Sequence, residues 1–267
     1  MYKPKVFNAV LEGFFPAKSE RVYGLLGKMP NQIVQIMRLP VWQKIMEHFL
    51  QKPFKFYVGE KLVENLSGYT LSTSAMLRLV PGAERQPLHR DGIPWQAGPN
   101  LEDPLDTPMV GCLIAGSKCT YKNGATLVIP GSHKWPVDRV PKLEECAIAE
   151  MEPGSALFTL GTTYHAGGEN KCTSEDPEAI RALFAVFGQR DYLRRNQEEV
   201  LSTPAEIACE LPDDILRLTG YYKSVGSIGH IEHRNPIEFI RDGMSLGKVP
   251  TRLNYLAGKR GMCLLPE

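Results

Sequence analysis

The chain has 267 residues, 23% of them charged, with a formal net charge of +1 at pH 7 and a pI near 7.6. Because positive and negative side chains are nearly equal in number, the chain has no strong electrostatic field that would attract nucleic acid or an anionic membrane. We expect neither as a partner. The length suits one large domain with a substantial core.

The six cysteines form no C-x-x-C pair, no zinc-ribbon spacing and no dense framework. Because a chain of this length needs no disulfide staples, we interpret them as free thiols in a reducing compartment. The N-terminus lacks the long apolar segment of a secretory signal, and no apolar run reaches the roughly 18 residues that cross a bilayer. These observations predict a soluble, cytoplasmic protein.

The first fifty residues carry the first helical signal. Segment 1–35 shows weak patterns and is expected to line the surface. Pro40 opens an amphipathic helix, because apolar residues recur beyond it at helical spacing. His48 lies beside the apolar face without an acidic or histidine partner three or four residues on, so we interpret it as a packing or surface residue.

From residue 54 the sequence changes to short apolar segments separated by Gly, Pro, Asn and Asp. Each segment has the length of a strand, and together they predict strands at 54–58, 74–80, 109–115, 125–129, 155–160 and 182–187. A run of strands flanked by helices favours an α+β, mainly β chain built on a sandwich or barrel, rather than alternating βαβ units.

The predicted organisation is a single domain spanning residues 1–267. It comprises a helical N-terminal part to about residue 53, a β-rich core over about 54–190, and a helical and loop tail over about 191–267. No internal repeat or low-complexity segment interrupts it.

The segment 86–92, with the sequence QPLHRDG, contains a His-x-Asp pair. On extended backbone, residues i and i+2 project to the same side, so His89 and Asp91 can converge on one point while Arg90 points away. One imidazole and one carboxylate, completed by a second imidazole, form the facial triad of non-haem Fe(II) oxygenases. His-x-Asp alone is weak evidence, so its context decides.

A loop of about seventeen residues, 92–108, follows this pair and contains Trp95 and four prolines. Loops of this length in compact domains usually cover a site or bind a ligand. Two interpretations stay open, a substrate-covering loop and a plain surface loop.

The segment 123–133 reads NGATLVIPGSH. Asn-Gly predicts a tight turn into a strand, and Pro-Gly-Ser-His predicts a sharp turn out of it. His133 would lie at the strand end, and we interpret it as a structural hydrogen-bonding residue rather than a metal ligand.

The segment 161–168, GTTYHAGG, supplies the best second imidazole, His165. Small residues around it allow the close approach that a buried metal site requires. Its separation of 76 residues from His89 excludes a helical zinc motif and demands a β-fold that brings two distant strands together.

Arg181 opens an alternating strand in which it shares a face with Leu183, Ala185 and Phe187. A guanidinium at the mouth of a barrel can hold a carboxylate through two parallel hydrogen bonds. The alternative is a surface arginine at a strand start, but the spacing after His165 favours the functional role. Arg190, at the far end of the strand, is its rival.

The tail shows one helix start and one further histidine pair. A capping box beginning at Thr203 predicts a short helix. His230 and His233 are three residues apart, but the neighbouring Gly226 and Gly229 argue against a stable helix and therefore against a metal pair there.

Three ordered motifs together resemble the phytanoyl-CoA dioxygenase family. They are QPLHRD at 86–91, NGAT through PGSH across 123–133, and TYHAGG at 163–168, with Arg181 beyond them. The resemblance runs over about 14–201 and is strongest to the fungal natural-product branch, the Fe(II)/2-oxoglutarate dioxygenases that tailor meroterpenoids, alkaloids and related metabolites.

The resemblance implies a double-stranded β-helix core, the cupin-like jelly roll, with iron bound by His89, Asp91 and His165. It further implies that 2-oxoglutarate chelates the iron and pairs its distal carboxylate with Arg181. Oxygen would then oxidise an unactivated C–H of a small hydrophobic, terpenoid-like metabolite, releasing succinate and CO2. Residues expected beside the co-substrate are Gln86, Thr126 and Thr163.

The sequence departs from the family pattern in two ways. The segment before Phe14 is shorter than such enzymes usually carry, and Gly92 stands where an acidic residue often follows the aspartate. By resemblance we also expect a homodimer. Two other functions remain open: a catalytically silent jelly-roll partner subunit, and a metal-dependent isomerase or hydrolase that uses no oxygen. The complete residue set argues against the first, and Arg181, which calls for a dicarboxylate, argues against the second.

Overall fold

The computed structural model describes residues 14–92, 102–103, 105–194 and 198–242 of the chain. It begins with strand β1 (Ser19–Tyr23) and the helices α1 (Leu25–Lys28), α2 (Pro30–Met37) and α3 (Pro40–Leu50). The strands that follow are β2 (Pro53–Val58), β3 (Lys61–Leu66), β4 (Tyr69–Leu79), β5 (Met109–Ala115), β6 (Thr126–Val128), β7 (Ala147–Ala149), β8 (Ala156–Leu160), β9 (His165–Ala166) and β10 (Arg181–Arg190). The tail contains α4 (Glu198–Leu201), α5 (Ala205–Glu210), α6 (Asp213–Leu218) and α7 (Pro236–Arg241).

The core consists of two antiparallel sheets. The larger has the strand order β1-β4-β10-β5-β8, and the smaller has the order β7-β6-β9. Side chains of both sheets line one cavity between them. This arrangement, flanked by helices, is the double-stranded β-helix that the sequence predicted, and the fold class is confirmed.

The two faces of the larger sheet bury different residues. One face packs against the helices in a hydrophobic core that joins α1–α3, the sheet and the tail helices. Trp42 of α3 lies at its centre, 1% exposed, and its indole Nε1 donates to the carbonyl of Val186 at 3.0 Å. The other face carries smaller side chains, including Ala75, Leu183 and Ala185, toward the cavity.

Strand boundaries agree with the sequence where apolar alternation is clear. The predicted strand 109–115 is β5 itself. Strand β4 starts five residues before the prediction, because its first half carries polar side chains that are nevertheless buried and bonded. Ser72 Oγ donates to Gln189 Oε1 at 2.7 Å, and Thr70 Oγ1 donates to the carbonyl of Leu218 at 2.7 Å.

Two expectations about the N-terminal half are wrong. The part before residue 53 is not only helical, because β1 pairs with β4 at the edge of the larger sheet. The predicted strand 54–58 does not join the core. It is β2, which pairs with β3 in a separate two-stranded sheet across a turn at Gly59, whose φ is +60°.

The tail is helical as expected, but the capping box is wrong. Pro204 is the N-cap residue of α5 and provides no side-chain hydrogen bond. The Thr203 hydroxyl donates instead to the carbonyl of Glu199, in the preceding helix α4. The glycine-containing segment near His230 forms a short 3-10 turn, Val225–Ser227, and no α-helix, as predicted.

Most of the loop that contains Trp95 lies outside the described residues, so neither interpretation of that loop is tested. Asp106 near the C-terminal end of the loop is described, and its Oδ1 forms an ion pair with Lys52 Nζ at 3.1 Å. None of the described helices combines the length and the apolar character needed to cross a bilayer.

Candidate metal centre

His89 and His165 are brought together by backbone hydrogen bonds between two extended segments. The N–H of each residue donates to the carbonyl oxygen of the other, both at 2.9 Å, in an antiparallel bridge. Residues paired in this way project their side chains to the same face of the sheet. The imidazole centroids accordingly lie 4.5 Å apart.

Asp91 completes the cluster from the same segment as His89. Its two carboxylate oxygens point at the two rings: Oδ1 lies 3.6 Å from His89 Nε2, and Oδ2 lies 3.3 Å from His165 Nε2. One ligand atom from each residue fits within 4.8 Å of the others. Arg90 points the other way, donating to the carbonyls of Ser132 and Trp135 at 2.8 and 3.1 Å.

Backbone carbonyls fix the tautomers of both histidines. His89 Nδ1 contacts the carbonyl of Pro87 at 2.8 Å, and His165 Nδ1 contacts the carbonyl of Thr163 at 3.1 Å. A carbonyl only accepts, so each Nδ1 carries the proton and each Nε2 offers its lone pair to the cluster. This is the arrangement that metal-binding histidines adopt.

The electrostatics of the cluster favour a positive charge at its centre. Burial would raise the pKa of the Asp91 carboxyl, but the adjacent His165 and His89 outweigh it and hold that pKa well below its usual range. Burial would lower the pKa of His165, and the Asp91 carboxylate outweighs it and raises that pKa. Two imidazoles and one carboxylate, with Nε2 atoms turned inward, suit a divalent transition metal such as iron.

The cluster opens into a cavity of 190 Å³ between the two sheets. The larger sheet provides the apolar wall, and the smaller sheet provides His165 and Thr126. Residues that line this wall include Leu77, Leu113, Leu183 and Phe187.

Arg181 lies in the same cavity, as its position on the inward face of β10 predicted. It is 3% exposed, and its Nε donates to the carbonyl of Gly124 at 3.1 Å. Burial lowers the pKa of Arg181 to about 10, and no carboxylate of the described residues offsets this effect. A guanidinium so deeply buried calls for an anion, and its two terminal nitrogens can receive a carboxylate.

Arg190 is already neutralised by a neighbour. Its guanidinium forms an ion pair with Asp106 and donates to the hydroxyl of Tyr192 at 3.2 Å. It does not line the cavity. Of the two arginines of β10 considered from the sequence, Arg181 is therefore the one without an acidic partner among the described residues.

The three residues expected beside the co-substrate occupy different places. Gln86 and Thr126 line the cavity, and Gln86 Oε1 accepts from the N–H of Gly167 at 3.0 Å. Thr163 is buried but is not among the cavity-lining residues; its carbonyl holds His165 instead. Thr163 thus acts on the site through the imidazole rather than from the wall.

Glycines allow the close approaches around the cluster. The N–H of Gly92 donates to the carbonyl of Gly161 at 2.6 Å, and a Cβ at Gly92 would lie only 3.0 Å from that oxygen. This contact explains why glycine follows Asp91 here. A Cβ at Gly167 would lie 2.8 Å from Gln86 Oε1 and 3.4 Å from Arg181 Nη2.

The remaining four histidines stay apart from the cluster, as expected. His48 is exposed and contacts Phe49, and His133 lies in the 3-10 turn Ser132–Lys134. His230 and His233 stack on each other with their ring centroids 4.8 Å apart. None of them joins a metal-binding group of three among the described residues.

Sequence reasoning missed the part of the site contributed by the N-terminal segment. Phe14, Phe15, Arg21 and Tyr23 all line the cavity, although segment 1–35 was expected on the surface. The Phe14 ring meets the His89 ring edge-on at 4.7 Å. The available signal was the alternation of Arg21 and Tyr23, which places both side chains on one face of a strand.

Comparisons with known proteins show what the chain is similar to. A sequence model of the phytanoyl-CoA dioxygenase (PhyH) family matches residues 12–176. Similar curated proteins include Dioxygenase swnH1 of Metarhizium robertsii, 33% identical over 235 residues, covering 86% of this chain and 74% of that protein. Dioxygenase swnH1 of Arthroderma benhamiae is 34% identical over 236 residues, with the same two shares. A similar solved structure is that of EctD from S. alaskensis with bound Fe: 13% identity, 66% of this chain, 58% of that chain and a TM-score of 0.45.

Proposed function

This chain belongs to the phytanoyl-CoA dioxygenase family, and from that premise we propose that His89, Asp91 and His165 bind Fe(II) and that Arg181 binds the distal carboxylate of 2-oxoglutarate. The chain is an oxidoreductase, a dioxygenase that depends on Fe(II) and 2-oxoglutarate. The observation that carries the residue assignment is that two Nε2 atoms and a carboxylate converge at the edge of one cavity. The same cavity contains a buried guanidinium that has no carboxylate partner among the described residues.

When bound, iron and 2-oxoglutarate would activate O2, which is the oxidant, and 2-oxoglutarate would leave as succinate and CO2. The chain supplies binding and orientation. The backbone bridge holds the two imidazoles, the carbonyls of Pro87 and Thr163 keep the Nδ1 protons, and Gly124 fixes the direction of Arg181. Such a reaction requires that the metal ligands and the co-substrate be held in a fixed relative geometry.

Gln86 and Thr126 are proposed to contact the co-substrate from the opposite wall. Because Gln86 Oε1 already accepts from Gly167, the amide nitrogen is the group left to donate to a carboxylate oxygen. Thr126 is 2% exposed and lines the same cavity, so its hydroxyl can donate as well. Thr163 is proposed as a positioning residue that orients His165.

We propose that the substrate is a small hydrophobic metabolite, terpenoid-like in its apolar body, and that an unactivated C–H bond is oxidised. The apolar wall of the cavity supports this proposal, because a flat hydrocarbon surface can pack there by burial alone. In this proposal the cavity walls exclude water and hold one C–H bond of the substrate toward the metal. A reacting carbon without polar groups has to be oriented by such packing.

We propose three further properties of the chain. A single domain is supported by one hydrophobic core that joins the N-terminal helices, the sheet and the tail helices. A reducing, cytoplasmic location is supported by the five described cysteines, all of which are free. A homodimer is supported by the apolar hairpin β2–β3, where Tyr57 and Val58 are exposed, and light scattering on Tyr57→Glu would test it.

The function is tested by anaerobic titration of the purified chain with Fe(II) and then 2-oxoglutarate. We expect one Fe(II) per chain, a weak visible charge-transfer band on adding 2-oxoglutarate, and succinate formation when oxygen is admitted. Iron binding without the band would contradict the co-substrate assignment and favour an isomerase or hydrolase. Failure to bind iron would favour the silent partner subunit.

A further inference from the structure

Arg21 is a second arginine that faces the active-site cavity. It lies on β1, where it pairs in register with Leu77 of β4, and Leu77 pairs in turn with Leu183 of β10. All three side chains line the cavity, so Arg21 belongs to the same face of the sheet as the apolar wall. Its neighbours on the strand, Glu20 and Val22, alternate to the other face.

Among the described residues, the guanidinium of Arg21 has no negatively charged partner, and other contacts hold it in place. It stacks on the Phe15 ring at 3.9 Å from the centroid, and its Nη1 donates to the carbonyl of Ser19 at 3.1 Å. Burial lowers the pKa of Arg21, and no carboxylate among the described residues offsets this effect. The adjacent acid, Glu20, forms its ion pair with Arg78.

The charges around the cavity leave Arg21 unbalanced once the proposed ligands are in place. Fe(II) carries two positive charges, the Asp91 carboxylate carries one negative charge, and 2-oxoglutarate carries two. Arg181 contributes one positive charge, so these four groups together are neutral. Arg21 then remains as the uncompensated charge on the described wall, where the charge of a bound anion would balance it.

The co-substrate is a poor partner for Arg21. Its two carboxylates are already assigned, one to the metal and one to Arg181. Strand β1, which carries Arg21, is separated from β10 by β4, and Arg21 is offset from Arg181 by two residues along the strands. These spacings place the Cα atoms of Arg21 and Arg181 about 12 Å apart. The two guanidiniums still influence each other, since Arg21 lowers the pKa of Arg181.

We propose that Arg21 binds a carboxylate of the substrate, and that the substrate is therefore a hydrophobic carboxylic acid. This inference rests on the proposed function, because it takes Arg181 and the metal as the sites of 2-oxoglutarate. A carboxylate matches the planar fork of one guanidinium and brings a single negative charge. A phosphate monoester brings nearly two charges and would need more donors than one arginine provides.

The position of Arg21 also sets where the rest of the substrate lies. Phe14 contacts both Phe15 and His89, so the segment that supports the guanidinium continues directly to the metal cluster. A carboxylate on Arg21 leaves the apolar body against Leu77 and Leu183, between the arginine and the metal. The carboxylate would then select which carbon of the substrate faces the iron.

The test uses small acids and their uncharged isosteres as probes. The full chain is loaded anaerobically with Fe(II) and saturating 2-oxoglutarate, so that Arg181 is occupied. Dissociation constants are then measured by calorimetry for cyclohexanecarboxylate against cyclohexanecarboxamide, and for 3-phenylpropionate against 3-phenylpropanamide. The variants are Arg21→Gln, Arg21→Lys and the matched control Arg78→Gln, which removes an arginine from the neighbouring strand β4.

We expect the wild type to bind each acid roughly 10- to 100-fold more tightly than its amide, as a charge-assisted pair implies. Arg21→Gln should reduce this ratio to within about twofold, Arg21→Lys should keep part of it, and Arg78→Gln should keep all of it. Equal binding of acid and amide, binding of neither acid at millimolar concentration, or a preference that survives Arg21→Gln would overturn the proposal.

The same titrations separate this proposal from the one on which it rests. A normal 2-oxoglutarate band with no preference for acids rejects the role of Arg21 and leaves the dioxygenase site intact. Absence of the band in the wild type rejects the site itself. A more than tenfold loss of 2-oxoglutarate affinity in Arg21→Gln, with Arg78→Gln unaffected, would assign Arg21 to the co-substrate and overturn its role toward the substrate.

Discussion

His89 and His165 exchange both of their backbone hydrogen bonds across an antiparallel bridge, each at 2.9 Å, and this exchange places their imidazoles 4.5 Å apart. The geometry of the pair is thus set by the main chain and by two carbonyls that fix the Nδ1 protons. Main-chain hydrogen bonds of this kind hold the side chains in place, which lowers the cost of ordering them around a metal.

His165→Ala should abolish Fe(II) binding and 2-oxoglutarate turnover while the chain stays folded. The backbone bridge does not depend on the side chain, so the fold should persist, but one of the three proposed ligands is lost. We expect Fe(II) affinity to fall by more than about 100-fold, since residues that only support ligands are worth about 10- to 100-fold. Anaerobic Fe(II) titration and circular dichroism measure the two effects.

The matched control for that experiment is His133→Ala, which removes a histidine of the turn after β6 that is not part of the cluster. Its Fe(II) affinity should equal that of the wild type. Undiminished turnover in His165→Ala would remove this residue from the site.

Arg181→Met should weaken 2-oxoglutarate binding by roughly 10- to 100-fold, the loss of a charge-assisted hydrogen-bonded pair. It should also leave the ligand-free protein as stable as the wild type or more stable, by up to about 4 kcal/mol, because an apolar side chain replaces a buried charge without an acidic partner. Spectral titration with 2-oxoglutarate and thermal unfolding without ligands measure these opposite changes.

The pKa of Arg181 adds a pH dependence to that prediction. Because burial lowers this pKa only to about 10, the guanidinium stays charged through pH 8.5, and 2-oxoglutarate affinity should decline only as the pH approaches 10. Arg190→Gln is the control: it breaks the pair with Asp106, so it should lower stability and leave 2-oxoglutarate affinity unchanged. The reverse pattern would exchange the roles of the two arginines.

Gly124→Ala should weaken 2-oxoglutarate binding through Arg181, although Gly124 itself has no side chain in the cavity. Its carbonyl accepts from Arg181 Nε, and a Cβ there would lie 2.9 Å from the carbonyl oxygen of Gly168. Gly154→Ala is a close control, because Gly154 has nearly the same φ, +87° against +91°, but no atom within 4 Å of the added Cβ.

Both glycine variants should lose about 1–2 kcal/mol of unfolding free energy to the positive φ. Only Gly124→Ala should also change the dissociation constant of 2-oxoglutarate. Equal dissociation constants in the two variants would show that Arg181 does not depend on this turn for its position.

Trp42→Ala should destabilise the chain by about 3–5 kcal/mol, the cost of emptying a large buried site. Its indole fills the core between α3 and the larger sheet and donates to Val186. Val41→Ala, on the exposed side of the same helix, should change stability by less than about 0.5 kcal/mol. Chemical denaturation measures both, and comparable losses would contradict the assigned core.

The sequence was most informative where one residue type has a single chemical use. His89, Asp91 and His165 were selected because their spacing and small neighbours suit a metal, and the structure brings them together. Arg181 was placed on the inward face by simple alternation, and it does line the cavity. The His-x-Asp pair and the alternation of β10 are local patterns, whereas the meeting of His165 with His89, 76 residues away, depends on the fold.

The missed features depend on contacts between distant parts of the chain. Strand β1 has only the five residues SERVY and pairs with β4 alone among the described strands, so the alternation of Arg21 and Tyr23 is its one signal and no flanking strand supports it. Thr203 failed as a helix cap because the N-cap of α5 is the next residue, Pro204, and the Thr203 hydroxyl donates to the carbonyl of Glu199 in the preceding helix. The polar half of β4 is buried by partners such as Gln189 that lie over a hundred residues away.

The edge position of β1 has a consequence for how such enzymes diverge. β1 pairs with β4 alone among the described strands, whereas the proposed metal ligands lie on and beside the smaller sheet across the cavity. Side chains at 21 and 23 can therefore be exchanged without disturbing the histidine bridge. Related enzymes with this fold can therefore keep the same reaction while substitutions on the edge strand β1 change which substrates they bind.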